Sequence, residues 1–435
     1  MKRMGLKNLK WLLVLIGVSA CCNGGHQSPP PHSWSSSEIE AASGMCCPYR
    51  GEGNLSSEAP KGYKVFFLNH FGRHGSRYHT WDKLYSSSLD MLLYADSLGV
   101  LSDKGEEMLS LVKTIEEDSR NRIGDLSERG MDEQRGIAYR SYQRFPELFS
   151  KGDTIRCYST KVHRTILSMT ALVEELSRCN PDIKFRISAS LREQEHLNHS
   201  PNAAKIHGLY QDEVNRYYLS IGNSPLRLCS VLFDDKGFID SHLEWCEGLF
   251  DRLIQIALIL PAEGYPQNIN LIPWFQEEEL WNYWRKDNYR LYLECGPSSQ
   301  YGKYVTSDAV PLMREMIRSA DKAIEGGSFS AVFRFGHDLN FVPFISLLGI
   351  NGMDVQVDNP NELEKHWKSY EVSCMSTNLQ MVFYKNSQGH VLVRILLNEK
   401  DAVIKELPSI QSVYYDWNNV KEYLEERFVI YNAVF

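Results

Sequence analysis

The sequence predicts an α/β fold with a mainly helical insertion. Short apolar runs with the length of buried strands alternate with longer amphipathic stretches, a pattern typical of a parallel sheet covered by helices. The strand signal fades between residues 190 and 305 and then returns. The 435 residues are 43% hydrophobic and 23% charged, an ordinary globular composition. We therefore expect one α/β domain formed by residues 61–190 and 305–435, with a helical domain inserted at 190–305.

The first α/β half alternates strands with helices. The apolar run at 64–68 has the length of a strand, and Pro146 ends the series of helices that follows it. A second run at 154–158 precedes a strongly amphipathic helix that extends to Cys179. The expected elements are strands at 64–68, 154–158 and 182–187 and helices at 84–98, 102–117, 127–145 and up to residue 179.

The insertion and the second α/β half follow. Ser241-His242-Leu243-Glu244 has the pattern of a capping box and predicts a helix that extends to residue 260. A further helix at 275–294 is dense in Trp and Tyr. After the insertion we expect a helix at 313–324, a strand at 330–335, a helix opened by Gly336-His337-Asp338, and a hairpin of 381–384 with 390–397.

The first 60 residues are predicted to lie outside this fold. Residues 1–21 combine a basic stretch, a short apolar run and Val18-Ser19-Ala20-Cys21, which resembles a bacterial lipoprotein signal with an acylated cysteine. A plain secretory signal is the alternative. Residues 22–60 are rich in Pro, Ser and Gly and predict a tether. We therefore expect an exported protein, anchored in a lipid membrane through Cys21, in the periplasm or on the outer surface of a bacterial cell envelope.

The charge of the chain argues against a nucleic-acid partner. Lys and Arg number 47 and Asp and Glu number 55, which gives a formal net charge of −8. Proteins that bind nucleic acid need a basic surface, and this chain is net acidic. An anionic ligand would therefore have to be held by a local cluster of cations.

The ten cysteines give only a partial prediction. Without Cys21 the number is odd, so at least one thiol is free or paired outside the chain. Cys229 and Cys246 are close enough in sequence for a local bridge, although sequence does not determine the pairing. The adjacent Cys46-Cys47 has no second pair at ligand spacing, so we expect no metal.

Cationic or titratable side chains occur at three junctions. At each junction a predicted strand ends and a turn begins. Ligands of open α/β sheets bind beyond the carboxyl ends of the strands, so these side chains could converge. Three arginines and two histidines would suit a doubly charged tetrahedral anion, because guanidinium groups grip phosphate oxygens through forked hydrogen bonds. The residues at the three junctions are Arg73, His74 and Arg77, then Arg164, and finally His337 with Asp338.

These residue types can transfer a phosphoryl group. A neutral imidazole such as that of His74 can attack phosphorus and form a phosphohistidine, while arginines spread the developing charge. Asp338 can protonate the leaving group and later activate a water molecule. Taken alone, His337-Asp338 is more often a helix cap and Arg164 a solvated cation. Their combination with Arg73-His74-Gly75-Ser76-Arg77 favours a site.

The motifs resemble the histidine phosphatase superfamily, specifically its acid phosphatase and phytase branch. The resemblance is carried by Arg73-His74-Gly75-Ser76-Arg77, by Gly336-His337-Asp338 and by the segments 124–134 and 159–165. Residues 377–384 and 396–400 are most similar to multiple inositol polyphosphate phosphatases. The resemblance implies a phosphoglycerate-mutase-like three-layer α/β domain with a helical cap, and neither a cofactor nor a metal.

The resemblance also implies a role for each site residue. His74 would be the nucleophile and Asp338 the proton donor. One departure concerns the third motif, because inositol polyphosphate phosphatases carry His-Ala-Glu where this chain has His337-Asp338-Leu339. Glucose-1-phosphatases and general acid phosphatases of the branch use His-Asp. The residues that would bind phosphate are Arg73, Arg77, Arg164 and His337.

The expected function is that of an exported phosphomonoester hydrolase, acting on a small-molecule phosphomonoester through a phosphohistidine. Phytate-like inositol polyphosphates are the first substrate class. For these, Lys161, His163 and Arg50 are candidate additional binding residues, although each could be a solvated surface charge. The alternatives are a broad-specificity acid phosphatase or sugar-phosphate phosphatase, and a non-catalytic lipoprotein that binds a phosphate ligand.

Overall fold

The computed structural model describes residues 36–51, 58–150, 152, 154–222, 225–266 and 268–435. The predicted signal at 1–21, with Cys21, lies outside the described residues, as does much of the predicted tether. Within the described ranges, no helix has both the length and the apolar character needed to cross a membrane.

A central mixed sheet confirms the predicted α/β fold class. It is an eight-stranded sheet in the order β3-β2-β4-β1-β5-β6-β7, and β8 pairs with β6. Its strands are β1 Lys64–Arg73, β2 Thr154–Ser159, β3 Lys184–Ser188, β4 Ala331–Gly336, β5 Asn378–Lys385, β6 Val391–Leu397, β7 Lys400–Asp401 and β8 Tyr414–Asp416.

The strands that precede the three junctions are neighbours in this sheet. β4 lies between β1 and β2 and is parallel to both. In this register Arg73 is opposite Gly336, and Ser159 is opposite Phe335. Because parallel strands end at the same edge of a sheet, the residues that follow β1, β2 and β4 are brought together there.

Helices cover both faces of the sheet and also form a separate layer. In chain order they are α1 Ser36–Ala41, α2 Leu84–Ser97, α3 Asp103–Ser119, α4 Glu128–Arg144, α5 Pro146–Ser150, α6 His163–Cys179, α7 Leu191–Leu197, α8 Pro201–Ile206, α9 Gln211–Ile221, α10 Pro225–Leu232, α11 Lys236–Ser241, α12 Leu243–Glu263, α13 Glu277–Glu294, α14 Gly302–Ser307, α15 Val310–Ile324, α16 Asp338–Leu348, α17 Leu363–His366, α18 Ser369–Val372 and α19 Trp417–Ile430.

The predicted long elements are all present, with shifted ends. β1 runs to Arg73 rather than to residue 68, so the motif begins inside the strand. The predicted capping box at Ser241 is wrong, because Ser241 ends α11 and the N-cap residue of α12 is His242, whose side chain makes no cap bond. The short strands β7 and β8 and most of the short helices were not expected, because few residues carry their periodicity.

Apolar cores lie on both faces of the sheet, as a three-layer fold requires. One core contains Phe67 and Phe71 of β1 with residues of α15, α16 and α19. On the opposite face Leu68 and Phe333 pack with residues of α4 and α6. Alternate residues of β1 therefore serve different cores, which is why its sequence is a nearly continuous apolar run rather than an alternating one.

A third core builds the helical layer, and it does not follow the predicted domain boundaries. It joins α10, α12 and α13 of the insertion to α2 and α3 of the first α/β half. In contrast, Leu197 and Tyr210, at the start of the insertion, pack into the core of the sheet. Residues 190–305 are thus an insertion in chain order, but their packing does not follow the same boundaries. Apolar periodicity shows that a helix has a buried face but not which residues cover that face.

The end of the predicted tether also packs on the body. Ala42, Cys47 and Tyr49 are buried. The carbonyl of Cys47 accepts a hydrogen bond from the amide of Met375 at 2.9 Å. The hydroxyl of Tyr49 donates to the buried carboxylate of Glu399 at 2.9 Å. Residues 42–49, here called the N-terminal segment, are therefore part of the folded body rather than of a spacer.

The described cysteines are all free thiols. Cys229 and Cys246 are close in space, since the Cys229 thiol donates to the Cys246 carbonyl at 3.8 Å, but they form no disulfide. The prediction that at least one thiol is unpaired within the chain is therefore confirmed.

Candidate active site

The three strand ends bring the six predicted site residues together. His74 directly follows β1, and its ring centroid lies 5.6 Å from that of His337, which follows β4. Arg164 lies in the first turn of α6, the helix that follows β2, and acts electrostatically on His74, His337 and Asp338. The convergence that the junction pattern predicted is therefore present in the structure.

His74 is held as a neutral imidazole. The side chain is buried, and Nδ1 lies 2.9 Å from the carbonyl oxygen of Gly75. A carbonyl can only accept, so Nδ1 carries the proton and Nε2 keeps its lone pair. Burial, followed by the charges of Arg73, Arg77 and Arg164, holds the pKa of His74 well below the usual 6.5. The ring is thus available as a nucleophile over a wide range of pH.

Arg73 is fixed from several sides. Its Nη1 donates to the carbonyl oxygens of Met45 at 2.6 Å and Ser373 at 2.9 Å, and its Nη2 donates to Asp338 Oδ2 at 3.0 Å. The guanidinium is completely buried. Because Met45 belongs to the N-terminal segment, that segment helps to orient the first arginine of the motif.

The three arginines share one unusual feature. The Nε atoms of Arg73, Arg77 and Arg164 are each buried and have no hydrogen-bond partner within the described part of the chain. Burial lowers the pKa of Arg77, and burial together with Arg77 lowers the pKa of Arg164 to about 10. Buried donors are nearly always satisfied in folded proteins. Arg156 of β2 and Arg334 of β4 share this feature, so what distinguishes the site is the cluster of three guanidinium groups around one imidazole, which suits an anion with several acceptor oxygens.

His337 is the N-cap residue of α16 and is also neutral. Burial, followed by the charge of Arg164, lowers its pKa to about 4. Its Nε2 lies 3.0 Å from Thr160 Oγ1, and Thr160 in turn lies 2.6 Å from Thr165 Oγ1. This hydroxyl pair fixes the imidazole from the side of the strand β2.

Asp338 is ionised in this state. Burial alone would raise its pKa, but Arg73, His337 and Arg77 outweigh burial and lower the pKa to about 2. Its Oδ1 accepts from the amide of Leu339 at 3.0 Å, and its Oδ2 pairs with Arg73. An anion bound to Arg73 would compete with this ion pair and so raise the affinity of Asp338 for a proton.

Glu133 of α4 ties the motif loop to two other segments. It accepts from the amide of Ser76 at 3.0 Å, from the hydroxyl of Ser376 at 2.7 Å and from the amide of Tyr49 at 3.0 Å. The adjacent Gln134 donates to the carbonyl of Arg73 at 3.2 Å. Segment 124–134 contributed to the family resemblance without a residue role, and the structure shows that it supports the motif.

Two glycines allow α4 to approach the motif this closely. A Cβ atom on Gly75 would lie 2.4 Å from the carbonyl oxygen of Gly130, and one on Gly130 would lie 2.1 Å from that of Ser76. Neither backbone could tolerate a side chain without moving. This explains the glycine in Arg73-His74-Gly75-Ser76-Arg77 in terms of packing rather than of backbone conformation.

A cavity of about 490 Å³ opens between the sheet edge and the helical layer. Arg73, Arg77 and Asp338 line one side of it, here called the sheet-side wall. The N-terminal segment contributes Met45 and Cys46. The opposite side is formed by α12 and α13. Its charged residues, all on α13, are Lys286, Asp287, Arg290 and Glu294, here called the cap-side wall.

The three candidate residues for additional substrate contacts lie elsewhere. Lys161 is exposed. His163 contacts Asp125 at 3.0 Å and the carbonyl of Gly124. Arg50 is paired with Glu40 and lines a different cavity. Arg50 therefore lies outside the cavity that Arg73 and Arg77 line.

Sequence reasoning missed the cavity residues outside the three junctions. His79 lines the cavity together with Thr80. Burial, followed by Arg77, lowers the pKa of His79 to about 4. Positions 283, 287, 290 and 294 share one face of α13. Helical spacing could therefore have grouped these positions, but it could not have shown that they face the motif.

In the part of the chain that the structure describes, no group of three His, Cys, Asp or Glu side chains could hold a metal ion.

Comparison with solved structures supports the fold. The chain is similar to the Bifidobacterium longum multiple inositol polyphosphate phosphatase in complex with phosphate, with a TM-score of 0.73 and 19% identity over 89% of this chain and 98% of that chain. The same enzyme in complex with inositol hexasulfate gives 0.72 and 19%, over 88% and 97%.

A phytase from D. castellii gives a TM-score of 0.65 and 16% identity, over 92% of this chain and 88% of that chain. No family model and no curated protein matches. At these identities the likeness concerns the fold, and it covers most of the chain. The chain therefore shares the fold of these solved phosphatase and phytase structures, the fold that the motifs predicted.

Proposed function

We propose that the protein is a phosphomonoester hydrolase that works through a phosphohistidine intermediate on His74. The observation that carries the proposal is the cluster of three guanidinium groups, those of Arg73, Arg77 and Arg164, that acts on a buried, neutral imidazole. The arginines match the oxygens of a phosphate group, and the imidazole supplies the nucleophile.

The first step forms the phosphoenzyme. Nε2 of His74 attacks phosphorus, the bond from phosphorus to the ester oxygen breaks, and the leaving oxygen takes a proton from Asp338. The arginines stabilise the charge on the three equatorial oxygens. Asp338 can hold that proton because a phosphate bound to Arg73 weakens the ion pair that keeps the carboxyl ionised.

The second step restores the protein. Water attacks phosphorus, Asp338 accepts its proton, and the bond from phosphorus to His74 Nε2 breaks to release inorganic phosphate. A protein that only bound phosphate would need neither the open Nε2 nor a carboxyl beside it. The arrangement of His74 and Asp338 therefore favours the hydrolase over the binding lipoprotein.

The substrate class has two candidates. Inositol polyphosphates are supported by the neighbouring structures, which include an inositol polyphosphate phosphatase and a phytase. A sugar phosphate, or a broad range of monoesters, is supported by His337-Asp338 in place of His-Ala-Glu. It is also supported by the positions of Lys161 and Arg50, of which one is exposed and the other lines a different cavity.

Export and lipid anchoring belong to the same proposal and rest on residues 1–21. The acylated residue would be Cys21. Partition of the full chain into a detergent phase tests this step, with a Cys21→Ala variant as control. The proposal expects the variant to move to the aqueous phase, and equal partition of both proteins would contradict anchoring.

The reaction class is tested by phosphate release from phytate, from a hexose phosphate and from a simple aryl phosphate, at about pH 5 and about pH 7. Release from at least one ester by the purified full chain, and none by His74→Ala, is the expected result. Absence of release from all three by a folded protein would contradict the hydrolase.

A further inference from the structure

The cap-side wall carries both signs of charge, but its cations are already engaged. Arg290 Nε donates to Asp287 Oδ1 at 2.8 Å, and Arg290 Nη1 pairs with Glu294. Burial alone would lower the pKa of Arg290, but the two carboxylates outweigh it and raise the pKa. The guanidinium is thus held within α13 and is not an open anion receptor.

Lys286 is engaged as well. Its Nζ lies 3.5 Å from Asp251 Oδ2, 4.2 Å from the ring centroid of Tyr218 and 5.1 Å from that of Tyr283. The ammonium is therefore partly neutralised by a carboxylate and held against two aromatic faces. Releasing it to bind a phosphate would cost all of these contacts.

The charges of the two walls differ accordingly. On the sheet side Arg73 and Arg77 line the cavity with one carboxylate, Asp338. Arg164 adds a third cation at the sheet edge, outside the lining, and both histidines are neutral. The net charge of plus two matches the dianion of a single phosphate ester. On the cap side two cations are balanced by Asp287 and Glu294, so the wall is neutral before Asp251 is counted.

A second phosphate on the substrate would meet this neutral wall. This wall offers no net positive charge to compensate for the desolvation of a second phosphate, and the carboxylates of Asp287 and Glu294 would repel its oxygens. Hydroxyl groups, in contrast, can donate to these carboxylates without displacing Arg290. The cavity thus accepts a substrate that carries one phosphate group and disfavours a substrate that carries a second one.

Resting on the proposed hydrolase function, we propose that the cavity selects monoesters that carry one phosphate on an uncharged, hydroxyl-bearing body of the sugar-phosphate class. The Asp287–Arg290–Glu294 cluster of α13 sets this selectivity by excluding polyphosphorylated substrates. Asp287 is the residue to change, because its side chain is 33% exposed and Arg290 keeps its bond to Glu294 when Asp287 is replaced.

The test compares kcat/KM of the full chain for a hexose monophosphate and for myo-inositol hexakisphosphate. The wild type is expected to prefer the monophosphate by about tenfold or more. Asp287→Asn is expected to raise kcat/KM for the hexakisphosphate by about fivefold and to lower that for the monophosphate, whose hydroxyl groups lose a carboxylate acceptor. The gain should shrink at high salt, because screening weakens charge repulsion; Glu294→Gln serves as a second variant.

Glu364→Gln is the matched control. The substitution removes the carboxylate of Glu364, which lies outside the cavity. This carboxylate pairs at 2.7 Å with Arg285 of α13, the helix that carries the cluster. The substitution is expected to leave the ratio of the two substrates unchanged. An equal effect of Glu364→Gln and Asp287→Asn would overturn the role of the cluster.

The failures of the two proposals are distinguishable. If the wild type hydrolyses the hexakisphosphate as well as the monophosphate, the selectivity is overturned and the hydrolase stands. If no ester is hydrolysed, the hydrolase fails. Equilibrium binding of the same two ligands then decides the selectivity, and any result except preference for the monophosphate overturns it.

Discussion

The sheet-side and cap-side walls of one cavity treat charge in opposite ways. On the sheet side Arg73 and Arg77 line the cavity and Arg164 lies outside its lining, and the buried Nε donors of all three have no partners within the described residues. On the cap side, Arg290 and Lys286 are both paired with carboxylates. Unsatisfied buried donors are costly to stability, and three of the arginines that carry them act together on His74. The paired charges on the cap side provide shape and polarity without a second anion site.

The difference follows from how each wall is built. The register of the strands β1, β4 and β2 fixes the sheet-side residues, and backbone carbonyls such as that of Met45 orient Arg73. The cap-side wall is one face of a single helix, on which residues three or four apart pair with each other. The sheet edge can therefore hold like charges close together, whereas the helix satisfies its own charges.

Loss of the nucleophile on the sheet side is expected to have the largest effect. His74→Ala should lower kcat by more than about 10³-fold for every substrate, because the covalent intermediate cannot form. Steady-state phosphate release measures the loss, and thermal unfolding checks that the variant is folded. Full activity in a folded His74→Ala protein would contradict the mechanism.

Replacement of an arginine that has an open Nε should come next. Arg164→Ala is expected to lower kcat/KM by about 10²- to 10³-fold, since it removes a donor to the phosphoryl oxygens. Lys161→Ala is the matched control, a nearby cation that is exposed, and should change kcat/KM by less than about twofold. Similar losses in both variants would mean that general positive charge, rather than a built site, binds the phosphate.

Replacement of the acid should give a loss that depends on the leaving group. Asp338→Asn is expected to slow hydrolysis of an alkyl phosphate by about 10²- to 10⁴-fold. An aryl phosphate should be affected less, because its leaving oxygen needs less protonation. KM should change little for either ester, and an equal slowing of kcat for both would argue that Asp338 only orients Arg73.

The last prediction concerns the pKa of His74 in the unmodified protein and involves the smallest change in a measured quantity. The pKa of His74 lies well below 6.5 in the folded protein, so the imidazole is neutral above that lowered value and becomes protonated only at more acidic pH. NMR of ¹³C-labelled histidine should therefore show His74 in its neutral form at about pH 6.5, where an unperturbed histidine is half protonated. A midpoint near or above 6.5 would mean that burial and the arginines do not act on this ring as described.

The sheet-side wall was largely predictable from sequence, and the cap-side wall was not. Parallel strands end at one edge, so Arg73, Arg164 and His337 could be expected to meet although they are distant in the chain. No comparable rule predicts which residues the face of α13 contacts, because an amphipathic pattern does not identify the surface that a helix covers. The role of Met45 was also hidden, since it acts through a backbone carbonyl in a segment whose composition suggests a spacer.

Lys161 and His163 were candidate binding residues because they are close to Arg164 in the sequence. Both are within three residues of Arg164, but successive positions at the start of a helix point in different directions. His163 turns toward Asp125, while Arg164 acts on His74 and His337. Closeness to Arg164 in the chain therefore did not show which side chains act on the two histidines.

The most direct test of the central claim is to trap the covalent intermediate. The full chain would be mixed with a substrate, quenched rapidly in alkali, which preserves phosphohistidine, and analysed by peptide mass spectrometry. The account predicts one added phosphoryl group on the peptide that contains His74, absent from His74→Ala and accumulating in Asp338→Asn with an aryl phosphate. Turnover with the phosphoryl group on any other residue, or with no phosphoenzyme at all, would contradict it.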